Sequence, residues 1–157
     1  MKRKLFFIAS LLMLGTGVAN AQKASDFSYT LRYTDPVSLT LTYCNSENTK
    51  ITIPATAYVD GADYKVTAIS SGALNGCSKM EKLVIGENIN YIESNAFQNC
   101  ANLKTVDLSN AKSLTYISDY AFANSKISRI EIPSWITSIG NYAFQHCDGL
   151  TNIPIPA

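Results

Sequence analysis

The chain has 157 residues, enough for one domain, with 13 basic and 12 acidic side chains. The opening 21 residues hold three of the bases and no acid, so a chain without them carries ten bases against twelve acids, a net −2. A nearly neutral chain argues against a nucleic-acid partner, because phosphate binding needs a basic surface.

Lys2, Arg3 and Lys4 form a basic start, Leu5 to Leu14 is an apolar run interrupted by Ser10, and Ala19-Asn20-Ala21 is a small-residue cleavage site. Residues 1–21 therefore read as a secretory signal peptide cut after Ala21. The apolar run is too short to span a membrane and no second one follows it. The expected location is secreted or cell surface.

Residues 22–50 read as an N-terminal β cap. Phe27, Tyr29, Leu31 and Tyr33 alternate with polar residues, Thr34-Asp35-Pro36 signals a turn, and Val37, Leu39, Leu41 and Tyr43 alternate again. That is a β-hairpin pattern. Ile51-Thr52-Ile53-Pro54 then supplies the strand of an incomplete first unit. Tyr58 and Tyr64 flank Asp60-Gly61, which predicts a small protruding hairpin.

The rest of the chain repeats. Ile69, Ile92, Ile117 and Ile139 recur at spacings of 23, 25 and 22 residues, with an insert near Ala111-Lys112 in the longest unit. Each is followed by Ala73, Ala96, Ala121 or Ala143, and then by Leu74, Phe97, Phe122 or Phe144. Four residues after each Ala stands Cys77, Cys100, Ser125 or Cys147. Leu83, Val106, Ile130 and Ile153 follow, with Ile85, Leu108, Ile132 and Ile155 two places on. A period of this length marks a solenoid, in which stacked units bury what one unit cannot. Equivalent strands must run the same way, so the sheet is parallel. Ser71, Ser94, Asp119 and Asn141 are N-cap residues ahead of each Ala, predicting one helical turn per unit. The solenoid is expected over residues 51–157, truncated or uncapped at its C-terminus, where an exposed last strand is open to self-association.

The pattern Ile-x-x-x-Ala-Phe-x-x-Cys-x-x-Leu-x-x-Val-x-Leu resembles the BspA-type leucine-rich repeat family over roughly Ile51 to Ile155. The departures are Ser125 for Cys, Leu74 for Phe and the insert. The resemblance implies a leucine-rich-repeat solenoid of short parallel β-strands, one per repeat. It also implies a surface protein that adheres to host proteins or other cells, with fibronectin- and fibrinogen-type partners.

The cysteines sit in an export context where disulfides are possible. Ser125 in the same slot favours thiols that only fill space. Cys100 and Cys147 are two units apart, about 10 Å at sheet spacing, beyond disulfide reach. The sequence alone assigns no partner to Cys44. His146 is the only histidine, and it lacks a second ligand at metal spacing. A Cys147–His146 nucleophile pair is disfavoured because adjacent side chains diverge. No metal, cofactor or catalytic residue is expected.

Two surfaces remain for protein binding. One is the strand face, Lys82, Thr105, Asp107, Arg129 and Glu131, where a solenoid commonly engages partners. The other is the aromatic set: Tyr91 with Tyr116, Tyr120 with Tyr142, and Trp135 in the connector after Pro133. Asp107 and Glu131, one unit apart, also raise a rival reading as the carboxylate pair of a carbohydrate-active enzyme. The preferred reading is a non-catalytic protein-binding or adhesion module. A further alternative is the N-terminal part of a longer adhesin with no activity of its own.

Overall fold

The computed structural model describes residues 26–32, 36–45 and 47–153. The expected leader, the turn residues Thr34 and Asp35, and the strand end beyond Ile153 lie outside the described residues. Eleven strands follow in chain order: β1 (Phe27–Arg32), β2 (Ser38–Cys44), β3 (Lys50–Thr52), β4 (Thr56–Val59), β5 (Ala62–Ile69), β6 (Lys82–Val84), β7 (Tyr91–Ile92), β8 (Thr105–Asp107), β9 (Tyr116–Ile117), β10 (Arg129–Ile130) and β11 (Ser138–Ile139).

The repeat fixes the architecture. Strands β3, β6, β8 and β10 stack in parallel, with Ile51, Leu83, Val106 and Ile130 in one register column. All four are buried, as are Ile53, Ile85, Leu108 and Ile132 two places on. The result is a parallel β-solenoid of about four turns, as the period predicts. Its rungs are short, with two or three residues in each of these strands.

A second parallel ladder was not foreseen, although its β2 and β5 fall in the two expected hairpins. It runs β2–β5–β7 and continues as β9–β11, with Leu41, Ile69 and Ile92 in register, then Ile117 and Ile139. The residue after each rung's Ile donates to the rung before: Ser70 to Leu41, Glu93 to Ile69 and Gly140 to Ile117. At the insert-bearing unit, the buried Ser118 hydroxyl makes that bond to the Ile92 carbonyl.

The expected single helical turns are absent from the four segments that begin at Ser71, Ser94, Asp119 and Asn141, and chains of tight turns take their place. In the first segment Ala73, Asn75 and Cys77 N–H groups donate locally to Ser70, Gly72 and Leu74. The intervening Leu74 and Gly76 donate to Ala96 and Gln98 of the next rung. The same alternation recurs at Phe97 and Asn99, and at Phe122 and Asn124. A helix would keep every donor inside its own segment; here half of them tie unit to unit. Left-handed backbone at Gly72, Asn95, Tyr120 and Tyr142, and again four residues on at Gly76, Asn99, Asn124 and His146, breaks any helical run. In the last of the four segments, the N–H groups of Tyr142, Phe144 and His146 have no partner among the described residues.

Inside the coil, Phe97, Phe122 and Phe144 stack with centroids 5.1 and 5.5 Å apart. The small Ala column beside them is buried and lets the rungs approach. At the other end β1 and β2 pair antiparallel, and β2 joins the second ladder through β5. Strands β4 and β5 form the foreseen small hairpin around Asp60-Gly61, both in left-handed backbone, with Tyr58 exposed. That pair of positive φ values is what a two-residue hairpin turn demands.

Candidate functional site

The register sets the strand face. Lys82, Thr105 and Arg129 are successive partners across β6, β8 and β10, and Asp107 pairs with Val84. Side chains alternate along a strand, so these residues point out while Leu83, Val106 and Ile130 point in. Glu131 follows β10 directly and its Oε1 accepts from Arg129 Nη2 at 3.1 Å. Both partners are about three-quarters exposed, so the pair adds little to stability and stays within reach of a binding partner.

Asp107 is held differently. Its Oδ1 accepts from the Ser109 hydroxyl at 2.7 Å and from the Ser109 N–H at 3.1 Å. These bonds, and after them the positive charges of Lys82 and Lys50, hold the carboxyl below the usual carboxylate range. A glycosidase general acid needs the opposite shift. Asp107 is engaged with Ser109 and Glu131 with Arg129, so the two acids do not work on one another.

Trp135 completes the surface. Its indole N–H donates to the Ala111 carbonyl of the insert at 2.9 Å, leaving the half-buried ring beside the strand face. Asn88, at the equivalent place two units earlier, reaches back in the same manner to the Ala55 carbonyl. A groove of about 720 Å³ results, with Lys82, Asp107, Arg129, Glu131 and Trp135 on its walls and Leu108 and Ile132 among its apolar lining. Thr105 belongs to the same ladder but does not line the groove. Ser109 does, and sequence reasoning missed it. The signal was present as Asp-x-Ser, the spacing of a side chain that bonds the backbone two residues on.

The tyrosines lie elsewhere. Tyr91 is exposed at the start of β7, and Tyr116 at the start of β9 donates to Asp119 Oδ1 at 3.3 Å. Tyr120 and Tyr142 stack with centroids 5.1 Å apart. None of the four lines the groove, so the expected aromatic set divides into a groove tryptophan and separate tyrosine pairs.

The cysteine column has a job. Cys100 Sγ donates to the Leu74 carbonyl at 3.2 Å, Ser125 Oγ to Phe97 at 3.4 Å and Cys147 Sγ to Phe122 at 3.2 Å. No disulfide joins cysteines among the described residues. Cys147 is buried on that carbonyl while His146 is exposed, so the two do not form a nucleophile pair. Among the described residues, no group of three or more His, Cys, Asp or Glu side chains could hold a metal ion. None of their helices is long and apolar enough to cross a membrane.

Residues 62–157 match the family described as the BspA-type leucine-rich repeat region (6 copies). No curated protein matches the chain. Among solved structures, a leucine-rich repeat protein from Bacteroides capillosus is similar, with a TM-score of 0.73 and 22% identity over 84% of this chain and 95% of that one. One from Bacteroides ovatus gives a TM-score of 0.61 and 21% identity over 82% of this chain, which spans only 40% of that protein. The pneumococcal vaccine antigen PcpA gives 0.69 and 21% over 84% of this chain and 37% of its own. At these identities the likeness is one of fold.

Proposed function

The chain belongs to the BspA-type leucine-rich repeat family, and from that premise we propose that it is a secreted or cell-surface, non-catalytic module that binds an extracellular protein through the strand-face groove. The observation that carries this reading is the convergence of Trp135 with Lys82, Asp107, Arg129 and Glu131 around one groove with Leu108 and Ile132 in its lining. An aromatic anchor beside apolar surface, rimmed by exposed charges, has the anatomy of a protein-binding hot spot. The adhesion role, export by the leader over residues 1–21 and the capping role of residues 22–50 are parts of the same proposal. So is self-association through the last strand.

Trp135 is the only tryptophan, so its emission reports on the groove. The test is titration of the purified chain with extracellular matrix proteins, fibronectin and fibrinogen first, following fluorescence and surface capture. Saturable binding that Trp135→Ala or Arg129→Glu weakens at least tenfold, with an unchanged circular dichroism spectrum, supports the reading. Binding that ignores both variants sinks the groove as its seat.

A second reading is favoured by the 40% and 37% spans of two similar proteins. In it the chain is the N-terminal part of a longer adhesin, and its surface works only with more repeats. A chain that is silent alone but binds when joined to further repeats would favour that reading.

A further inference from the structure

We propose that Cys44 and Cys77 form an intramolecular disulfide that staples the N-terminal β1–β2 pair to the first repeat. The proposal rests on the export reading for its oxidising compartment, while its geometry stands apart from it.

The repeat itself brings the pair together. Cys44 N–H donates to the Ala73 carbonyl at 3.1 Å. That is the bond Leu74 makes to Ala96, Phe97 to Ala121 and Phe122 to Ala143, each at 2.9 Å. Cys44 thus takes, on the rung before the first repeat, the place of the large apolar residue. In every later rung, the residue four after the Ala turns its sulfur or oxygen onto that place in the rung below: Cys100 onto Leu74, Ser125 onto Phe97, Cys147 onto Phe122. One more step of the same translation sets Cys77 over Cys44. There the residue below is itself a cysteine, and its thiol is near enough to act on the Cys77 thiol. Cys44 lies in the Leu74 column, three positions before the Cys77 column, on the neighbouring rung about 4.8 Å away.

The chemistry favours this pair over the others. Cys77 is half-exposed, and its hydrogen bond with Cys44 lowers its pKa, which favours the attacking thiolate. The oxidant is an external disulfide, such as that of a thiol–disulfide oxidoreductase. Cys77 thiolate attacks one of its sulfurs, that S–S bond breaks, and one thiolate leaves. Cys44, losing its proton, then attacks Cys77 Sγ and displaces the second thiolate. The two protons pass to the two leaving thiolates, so the external disulfide is reduced to two thiols as the dithiol is oxidised. Cys100 and Cys147 are buried with their S–H groups on carbonyls, and burial, followed by the neighbouring Cys77, pushes the Cys100 pKa up to about 12.

The test is equilibration of the reduced, purified full chain with a mixture of reduced and oxidised glutathione, followed by acid quench, alkylation, intact mass and peptide mapping. The expected product has lost two hydrogens, carries a Cys44–Cys77 linked peptide and has alkylated Cys100 and Cys147. Its melting temperature rises by on the order of 10 °C over the reduced chain. Cys147→Ala keeps the mass loss, while Cys44→Ser and Cys77→Ser each abolish it. An unchanged mass, or a Cys77–Cys100 link instead, overturns the proposal. If the link forms with glutathione but the protein from its own cell is reduced and retains the leader, the export reading fails and the pairing stands.

Discussion

Phe97 and Phe122 lie face to face, 5.1 Å between centroids and 5° between planes, and both are fully buried. That separation lies within the range of about 4.5–7 Å that aromatic pairs generally favour. Near-parallel rings are what identical side chains do when the backbone repeats at about 4.8 Å. The value of the column lies in burial and close packing.

Phe122 touches rings on both sides, Phe97 and Phe144. Phe122→Ala should cost about 3–5 kcal/mol, by the lost burial and the cavity it opens. Phe144 is only half-buried, so Phe144→Ala should cost clearly less. Urea unfolding of the two variants checks the order, and equal costs would contradict the graded packing.

Ser125 is buried with a long bond to the Phe97 carbonyl, in a slot where Cys100 and Cys147 make 3.2 Å contacts. Ser125→Cys should therefore leave stability unchanged or raise it by up to about 1 kcal/mol, because a thiol is easier to bury than a hydroxyl. A loss of more than 1 kcal/mol in the same unfolding assay would mean the slot at this rung is shaped for oxygen.

Gly140 has no room for a side chain. A Cβ there would lie 2.6 Å from the Asp119 backbone nitrogen and 2.6 Å from the Tyr116 hydroxyl. Gly140→Ala should shift the β9–β11 rungs and cost about 1–3 kcal/mol. A melting temperature equal to the parent's would show that the rung yields freely.

Burial holds the Cys100 proton up to a pKa of about 12, against an ordinary value of 9.0, and it raises the Tyr29 hydroxyl as well. In the reduced chain both groups ionise more readily once unfolded. Stability is therefore full below about pH 9 and falls as pH rises from there toward 12. Each such group steepens the fall by at most about 1.4 kcal/mol per pH unit. Denaturant midpoints at pH 8, 9.5 and 10.5 should decline, and Cys100→Ala should flatten the decline. A flat profile for the parent chain would show that neither proton matters to folding.

Much of the fold was legible because each unit writes the same columns. Ile51, Leu83, Val106 and Ile130 could be aligned by eye, and their parallel register followed. The helical turns misled because Ser71, Ser94, Asp119 and Asn141 are good caps locally, while in the first three of these segments alternate donors find acceptors more than twenty residues away. The strand-face residues were legible as a stripe, but the groove was not. It depends on Trp135 reaching the Ala111 carbonyl across a unit of irregular length.

The sequence by itself determined the period, the buried columns and the outward stripe, because a stack of identical units repeats its burial wherever the chain repeats its residues. Only the tertiary structure decided which residues meet outside that period. The placement of Cys44 beneath Cys77 and the joining of Trp135 to the charged face both depend on contacts between segments that share no local pattern. Their partners are chosen by the rung-to-rung translation of the coil, which becomes visible only when the backbone is in place.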